Sequence, residues 1–146
     1  MNTKYEFVKG DEIVIAPGRT LKRIRAMVSI SYFASAGSLG GYIESESCLE
    51  VVGAAWISGN AWISGNARIS KEGLIFWASK VGRDNGTITV YNTKDNTLEV
   101  TRGCFRGSVD EFLSASEENH DDQTHLEYRL LIDVAYSRIT RARGAV

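Results

Sequence analysis

The two histidines of the chain are its first candidates for chemistry. His120 and His125 flank Asp121 and Asp122 near the C-terminus. A histidine beside carboxylates can act as a general base, because its pKa lies close to neutrality. Two solvated loop histidines are the simpler interpretation, since no G-x-S-x-G or comparable nucleophile motif accompanies them. The sequence therefore names no catalytic residue.

A glycine-rich loop at residues 80–87 is the second candidate, and its chemistry would be anion binding. Lys80 and Arg83 supply positive charge beside glycines whose backbone N–H groups can approach an anion. The same pattern is also typical of an ordinary turn. Two further cations and two stacking rings are expected on nearby strands and would complete a pocket for a nucleotide-like ligand: Arg102, Arg106, Trp77 and Phe105.

Composition excludes several classes of protein. The 146 residues allow one domain or two small ones, and the net charge of −1 argues against duplex nucleic-acid and membrane-surface binding. No apolar run approaches a membrane span, and the N-terminus lacks a signal core, so we expect a cytoplasmic protein, in the host cell if it is viral. Cys48 and Cys104 are expected to be reduced and buried. No metal site and no cofactor are predicted.

The element that must position these groups is a six-residue repeat between residues 49 and 75. Its side chains alternate as in a strand, so the branched and small residues share the inward face, and Ser-Gly-Asn segments turn the chain. The inward branched positions are Val51, Ile57, Ile63, Ile69 and Ile75, and the residues two before the first four are Leu49, Ala55, Ala61 and Ala67. A period of six predicts a β-helix.

This repeat resembles that of hexapeptide-repeat proteins, which form a left-handed parallel β-helix. Residues 57–62, Ile-Ser-Gly-Asn-Ala-Trp, match the family pattern at all six places. A β-meander with a duplicated hairpin is the alternative. Acyltransferases built on this fold use a histidine on a loop against a coil, and no histidine lies in or near these repeats. The resemblance therefore implies the fold and leaves an acyltransferase as a minor alternative.

Trp56 and Trp62 are predicted to form an oligomer interface. Alternation along the repeat points both rings outward, on adjacent sides of the coil, and exposed tryptophan marks contact surfaces. The repeat holds material for only about two coils, which need covering by other segments or other chains. Since hexapeptide β-helices resemble one another in forming trimers, we expect a homotrimer or a multiple of it. The alternative is that terminal segments of the same chain cover both rings.

The remaining segments predict strands before the repeat and an α+β region after it. Pro17-Gly18 separates two strand-like runs and indicates a β-hairpin, and residues 35–42 are expected to be a flexible connector. A capping box at Ser108 and Glu111 begins one helix. A second is expected at residues 124–139, with an apolar face that comprises Tyr128, Leu130, Leu131, Val134, Ala135 and Ile139. The predicted fold is mainly β: an N-terminal β-hairpin region (1–42), a short hexapeptide-repeat β-helix (43–81) and a C-terminal α+β cap with two helices (82–146).

A second resemblance concerns the origin of the chain. Residues 20–26 and 37–46, followed by the hexads, look like small hexapeptide-repeat proteins of bacteriophage and prophage genomes, often described as polymer-forming. This context implies a non-enzymatic oligomeric binding protein for phage counter-defence. It would sequester a nucleotide immune signal or block a host immune protein such as a CRISPR complex. The alternative is a structural or assembly protein.

Overall fold

The computed structural model describes residues 2–51, 53–82, 84–103 and 105–144. The chain divides into two compact units, Met1–Glu72 and Gly73–Val146. The three-part division expected from the sequence stays a prediction. Within the described residues, no helix combines the length and the apolar character that crossing a membrane requires.

The first unit begins with the predicted β-hairpin. Strand β1 (Tyr5–Ala16) pairs antiparallel with strand β2 (Arg19–Ala26), and Pro17 and Gly18 form the turn. Gly18 has a φ of 74°, which glycine adopts without the steric cost that other residues incur. The hairpin prediction is confirmed.

Strand β3 (Leu39–Ile43) extends this hairpin into a mixed sheet. It pairs antiparallel with β2 along one edge and parallel with the two-residue strand β4 (Trp62–Ile63) along the other, giving the order β1-β2-β3-β4. Residues 39–43 were expected at the end of a flexible connector and in the first side of a β-helix. They form the strand that joins the hairpin to the repeat.

The prediction of a left-handed parallel β-helix is wrong. The described residues form two four-stranded sheets, antiparallel or mixed, and no parallel β-helix. Between residues 49 and 74, the described residues pair regularly only in β4 and in one isolated parallel bridge between Leu49 and Ile69. The physical reason lies at β3: its second edge, where a further coil would have to pair, is already occupied by β2.

Most inward positions of the repeat are nevertheless assigned correctly, and Val51, which is only partly buried, is the exception. Ile57 and Ile63 are fully buried, and Ile69 is almost so. Strand β3 and the repeat lie very close together at Gly41, where an added Cβ would be 2.7 Å from both the Ile57 side chain and the Ala61 carbonyl oxygen. Burial of the isoleucines thus follows the hexad pattern even though the backbone does not form a β-helix.

Trp56 is buried, although the sequence predicted that its ring points outward. Its side chain is 1% exposed, and its ring lies against Gly40, where an added Cβ would be 2.7 Å from Cζ2. Trp62 is half-buried. The outward orientation predicted for Trp56 is therefore wrong, because β3 of the same chain covers this ring. An interface role for Trp62 stays a prediction.

Lys4 and Tyr5, at the start of β1 and just before it, contact the beginning of the hexad region. Lys4 is 4% exposed and donates from Nζ to the Glu50 carbonyl oxygen at 2.8 Å. The Tyr5 hydroxyl lies 2.9 Å from the Leu49 carbonyl oxygen and 3.2 Å from that of Glu46. Burial lowers the pKa of Lys4 and raises that of Tyr5. These polar atoms remain stable in the interior because each has a carbonyl partner.

The second unit is an antiparallel sheet covered by two helices. Its four strands pair in the order in which they follow one another along the chain, and the helices come after them. The core residues on the sheet include Ile88, Val90 and Val100, and those on the helices include Phe112 and Ile132. The elements are β5 (Ile75–Val81), β6 (Gly86–Asn92), β7 (Leu98–Arg102), β8 (Phe105–Ser108), α1 (Val109–Asn119) and α2 (Asp122–Arg143).

Both predicted helices are confirmed, and so is the capping box of α1. Ser108 Oγ accepts from the Glu111 N–H at 3.1 Å, and Glu111 Oε1 accepts from the Ser108 N–H at 2.9 Å. The apolar face predicted for α2 is only partly right. Ile139 is buried, whereas Leu130 and Val134 are 57% and 46% exposed.

Candidate functional site: an exposed aromatic loop

Residues 27–38, here called the Tyr32 loop, connect β2 to β3 and display apolar side chains. Tyr32 is 101% exposed, as open as a side chain in an extended chain, and its neighbour Phe33 is 45% exposed. Met27 and Val28 at the start of the loop are also exposed. An aromatic ring left wholly in water is uncommon in a folded protein unless another molecule covers it.

Backbone hydrogen bonds fix the base of the Tyr32 loop. The Ala26 N–H donates to the Ser38 carbonyl oxygen at 2.9 Å, and the Gly37 N–H donates back to the Ala26 carbonyl oxygen at 2.8 Å. Met27 donates to the Lys4 carbonyl oxygen at 2.8 Å. With its ends held this close, the segment has the form of a compact surface loop, a type that is frequently functional.

The tip of the loop is also ordered. The Ile30 N–H donates to the Ala34 carbonyl oxygen at 2.8 Å, the Phe33 N–H donates to that of Ile30 at 2.9 Å, and the Ile30 side chain is 4% exposed. Between them Ser31 has a φ of 47°, a left-handed conformation that is unfavourable for a serine. The anchored Ile30 and the strained Ser31 together present Tyr32 outward.

The anionic pocket predicted from the sequence is divided between the two faces of the second sheet. One row of paired residues runs Trp77–Thr89–Thr101–Arg106, and the adjacent row runs Ala78–Ile88–Arg102–Phe105. Because neighbouring residues of a strand point to opposite faces, Arg102 and Phe105 share the helix-facing side with Ile88, and Trp77 and Arg106 lie on the other.

Arg102 and Phe105 have structural partners on the helix-facing side. Arg102 donates from Nε to the Tyr128 hydroxyl at 3.0 Å, and its guanidinium lies over Gly86. The ring of Phe105 packs edge-on against Phe112 at 5.3 Å between centroids. These contacts join the sheet to both helices.

Lys80 and Arg106, two other members of the predicted set, are both exposed cations. Lys80 is exposed, with a φ of 60°, where the pairing of β5 with β6 shifts register. Arg106 is exposed on β8. Arg83 lies outside the described residues, as does Cys104. A ligand-binding role for these cations stays a prediction, but the chain does not bring Arg102 and Arg106 together.

The histidines take part in contacts between and beside the helices. His125 Nδ1 lies 3.0 Å from Ser116 Oγ, and Ser116 is 2% exposed. The ring of His120 lies 5.6 Å from that of Tyr128. His125 and Ser116 therefore connect α2 to α1, and the burial of the serine hydroxyl keeps it from attacking a substrate in solution.

A polar groove in the first unit is a second place where a ligand could lie. It encloses about 560 Å³, and Glu44 closes one side by accepting two hydrogen bonds from Arg19, at 2.6 and 2.9 Å, and one from the Gly65 N–H at 2.7 Å. Its walls carry charges of both signs, so it has no strong preference for an anion. It is lined by Glu12, Gly18, Thr20, Lys22, Glu44, Ser45 and Gly65.

A closed polar network joins three segments of the first sheet. Arg23 donates to Asp11 Oδ2, to the Tyr42 hydroxyl and to the Gly40 carbonyl oxygen, and the Tyr42 hydroxyl donates to Asp11 Oδ1. The hydrogen bond from Tyr42 lowers the pKa of Asp11, and burial raises the pKa of Tyr42. Since each group has its partner within the network, these residues stabilise the sheet.

Comparison with known proteins gave no match to a family model, to a curated protein or to a solved structure. The candidate site is therefore argued from the geometry of the chain itself.

The Tyr32 loop was not predicted from the sequence, because residues 35–42 were interpreted as a connector and residues 29–34 were assigned to no element. The available signal was Tyr32-Phe33 between two strands, since adjacent aromatic residues in a connection are unusual unless they are buried or bind a partner.

Proposed function

We propose that this protein is a non-enzymatic binding protein of viral origin that blocks a host immune protein, such as a CRISPR complex. In this proposal the Tyr32 loop contacts the target. The observation that supports it most directly is the complete exposure of Tyr32 on a loop whose base and tip are both held by backbone hydrogen bonds.

The Tyr32 loop is preorganised for binding to a target. A loop that already holds its bound conformation loses little conformational entropy on binding, so more of the contact free energy appears as affinity. Tyrosine is enriched among interface residues that dominate binding, and such a residue contributes about 2 kcal/mol or more. Exposed Met27, Val28 and Phe33 add an apolar rim around that ring.

The choice of a protein target over a nucleotide follows from the second sheet. Sequestration of a nucleotide signal requires cations and stacking rings that converge on one ligand. Here Arg102 and Phe105 lie on one side of the sheet, and Trp77 and Arg106 lie on the other. The geometry therefore favours blocking a protein.

Plating efficiency tests this proposal. Bacteria carrying a defined CRISPR–Cas system with a spacer against a phage would express the wild-type chain, the Tyr32→Ser/Phe33→Ser variant, or Val14→Ser as a control. Val14 is 73% exposed on β1, outside the loop. We expect the wild type and Val14→Ser to raise plating by roughly 100-fold, and the double variant to lose at least about 90% of this gain.

Two results would contradict the proposal. Wild-type protein that leaves plating unchanged across a panel of defined CRISPR–Cas types and other immune systems removes the counter-defence function. A double variant with normal thermal stability and full activity removes the loop from the contact. A rise in the melting temperature with a panel of cyclic dinucleotides would instead support sequestration, because a ligand stabilises the folded state that binds it.

A further inference from the structure

Helix α2 carries an apolar stripe that its own unit leaves about half exposed. Leu126, Leu130 and Val134 are 50%, 57% and 46% exposed. They are four residues apart, so they form one ridge along the helix. The buried face, which includes Ile132, Ala135 and Ile139, is directed away from this ridge toward the core of the unit. Two apolar faces on one helix indicate a second packing partner.

The shape of the stripe suits another helix. Ridges formed by residues four apart pack into the matching grooves of a second helix at a crossing angle of about −50°. The first and last of these residues are eight residues apart, or roughly 12 Å along the helix. This length is sufficient for a helix pair, and the 22 residues of α2 extend beyond it at both ends.

Charges flank the stripe in a self-complementary arrangement. Arg129 and Asp133 lie on one side of it, and Glu127 and Arg138 lie on the other. In an antiparallel pair related by a two-fold axis, each flank faces the same flank of the second copy. Arg129 then meets Asp133 of the second copy. Glu127, whose Oε1 accepts from the Gly82 N–H at 2.5 Å, meets its Arg138 through the other carboxylate oxygen, so opposite charges face each other on both sides.

The two charge pairs require nearly the same position of the axis. The midpoint of Arg129 and Asp133 lies at residue 131, and that of Glu127 and Arg138 lies between residues 132 and 133. The difference corresponds to roughly 2 Å along the helix, which long side chains accommodate. Both midpoints lie close to the centre of α2 and beside Leu130, so one arrangement aligns the stripe and both flanks.

We propose that α2 pairs antiparallel with α2 of a second copy of this chain, forming a two-fold dimer centred near Leu130. Within the described part of the chain, neither Arg129 nor Asp133 takes part in an ion pair, so both charges are available to the second copy. The expectation of a homotrimer came from the β-helix resemblance. The α2 surface instead specifies two copies, and it does so independently of the Tyr32 loop.

Sedimentation equilibrium of the full chain tests the stripe. We expect a particle with twice the mass of one chain for the wild type. Leu130→Lys should raise the dissociation constant of the dimer by about 30-fold or more, because a charge is placed at the centre of the contact in both copies. Tyr136→Lys is the matched control: this residue is 59% exposed on the same helix, about 120° around it from Leu130, and should leave the dimer intact.

A charge exchange tests the antiparallel register. Arg129→Asp or Asp133→Arg alone should weaken the dimer roughly tenfold, and the double variant should recover the wild-type dissociation constant because both pairs are restored with reversed signs. Circular dichroism would confirm that every variant is folded. A wild-type monomer at all concentrations, a trimer that Leu130→Lys does not disturb, or a double variant weaker than either single variant would overturn the proposal.

Discussion

The Tyr42 hydroxyl donates a 2.7 Å hydrogen bond to Asp11 Oδ1, joining β3 to β1 across the strand between them. Arg23 on that intervening strand, β2, contacts both residues: its Nε lies 2.7 Å from Asp11 Oδ2, and its guanidinium lies 4.3 Å from the centre of the Tyr42 ring. The network thus connects three strands through one carboxylate, one phenol and one guanidinium. Its stability must depend on the charge of Asp11.

This dependence predicts an effect of pH on stability. The pKa of Asp11 is lowered below its ordinary value of 3.8, chiefly by the hydrogen bond from Tyr42, so the folded state binds the proton less tightly than the unfolded chain. The contribution of Asp11 to the free energy of unfolding is therefore complete above about pH 4 and is lost as the pH falls through the lowered pKa.

Urea unfolding at about pH 6 and about pH 3 measures this contribution. Asp11→Asn should be less stable than the wild type at the higher pH, and the difference should shrink at the lower one. Asp95→Asn, in an exposed turn of the second unit, serves as the control and should show no such change. An Asp11→Asn difference that is the same at both pH values would mean that the carboxylate charge does not stabilise the network.

The hexad core gives a second prediction, which concerns packing. Ile63 is fully buried, so Ile63→Ala should lower the free energy of unfolding by about 2–4 kcal/mol through lost apolar contacts and the cavity that remains. Ile63→Asp should prevent folding of the first unit, because a buried charge lacks a partner. Ser70→Ala, exposed in the last hexad, is the control and should be neutral.

Folded Ile63→Asp protein with cooperative unfolding would show that the branched positions of the hexads do not form the interior. Circular dichroism and urea unfolding of the three variants, each in the full chain, provide this measurement.

Gly82 gives a third prediction, because it meets two constraints at once. Its φ is 75°, and an added Cβ would lie within the van der Waals radius of the Tyr128 hydroxyl. Gly82→Ala should therefore displace Tyr128, weaken its hydrogen bond with Arg102 and lower the free energy of unfolding by about 2 kcal/mol or more.

Gly103→Ala separates the two causes. Gly103 also has a positive φ, of 59°, but nothing lies within 4 Å of its added Cβ, so only backbone strain of about 1 kcal/mol is expected. Thermal unfolding of the two variants gives the comparison. Equal losses of stability would show that the contact with Tyr128 is not what requires glycine at position 82.

Local signals in the sequence determined a large part of this protein. Pro17-Gly18 specified the hairpin turn, and Ser108 with Glu111 specified the start of α1, because turns and helix caps depend on residues within a few positions of one another. The hexads specified which isoleucines are buried, since alternation along the chain needs no distant partner.

Only the tertiary structure decided how distant segments pair. β2 pairs with β3 where the repeat predicted a further coil, and Gly40 of β3 leaves room for the ring of Trp56, which is therefore buried. Pairing of β7 with β8 placed Arg102 and Arg106 on opposite faces of one sheet. Register and burial of this kind depend on strands far apart in the sequence, and a shift of one residue reverses every side chain. For the same reason the exposure of Tyr32 and Leu130 became visible only when the rest of the chain was folded around them.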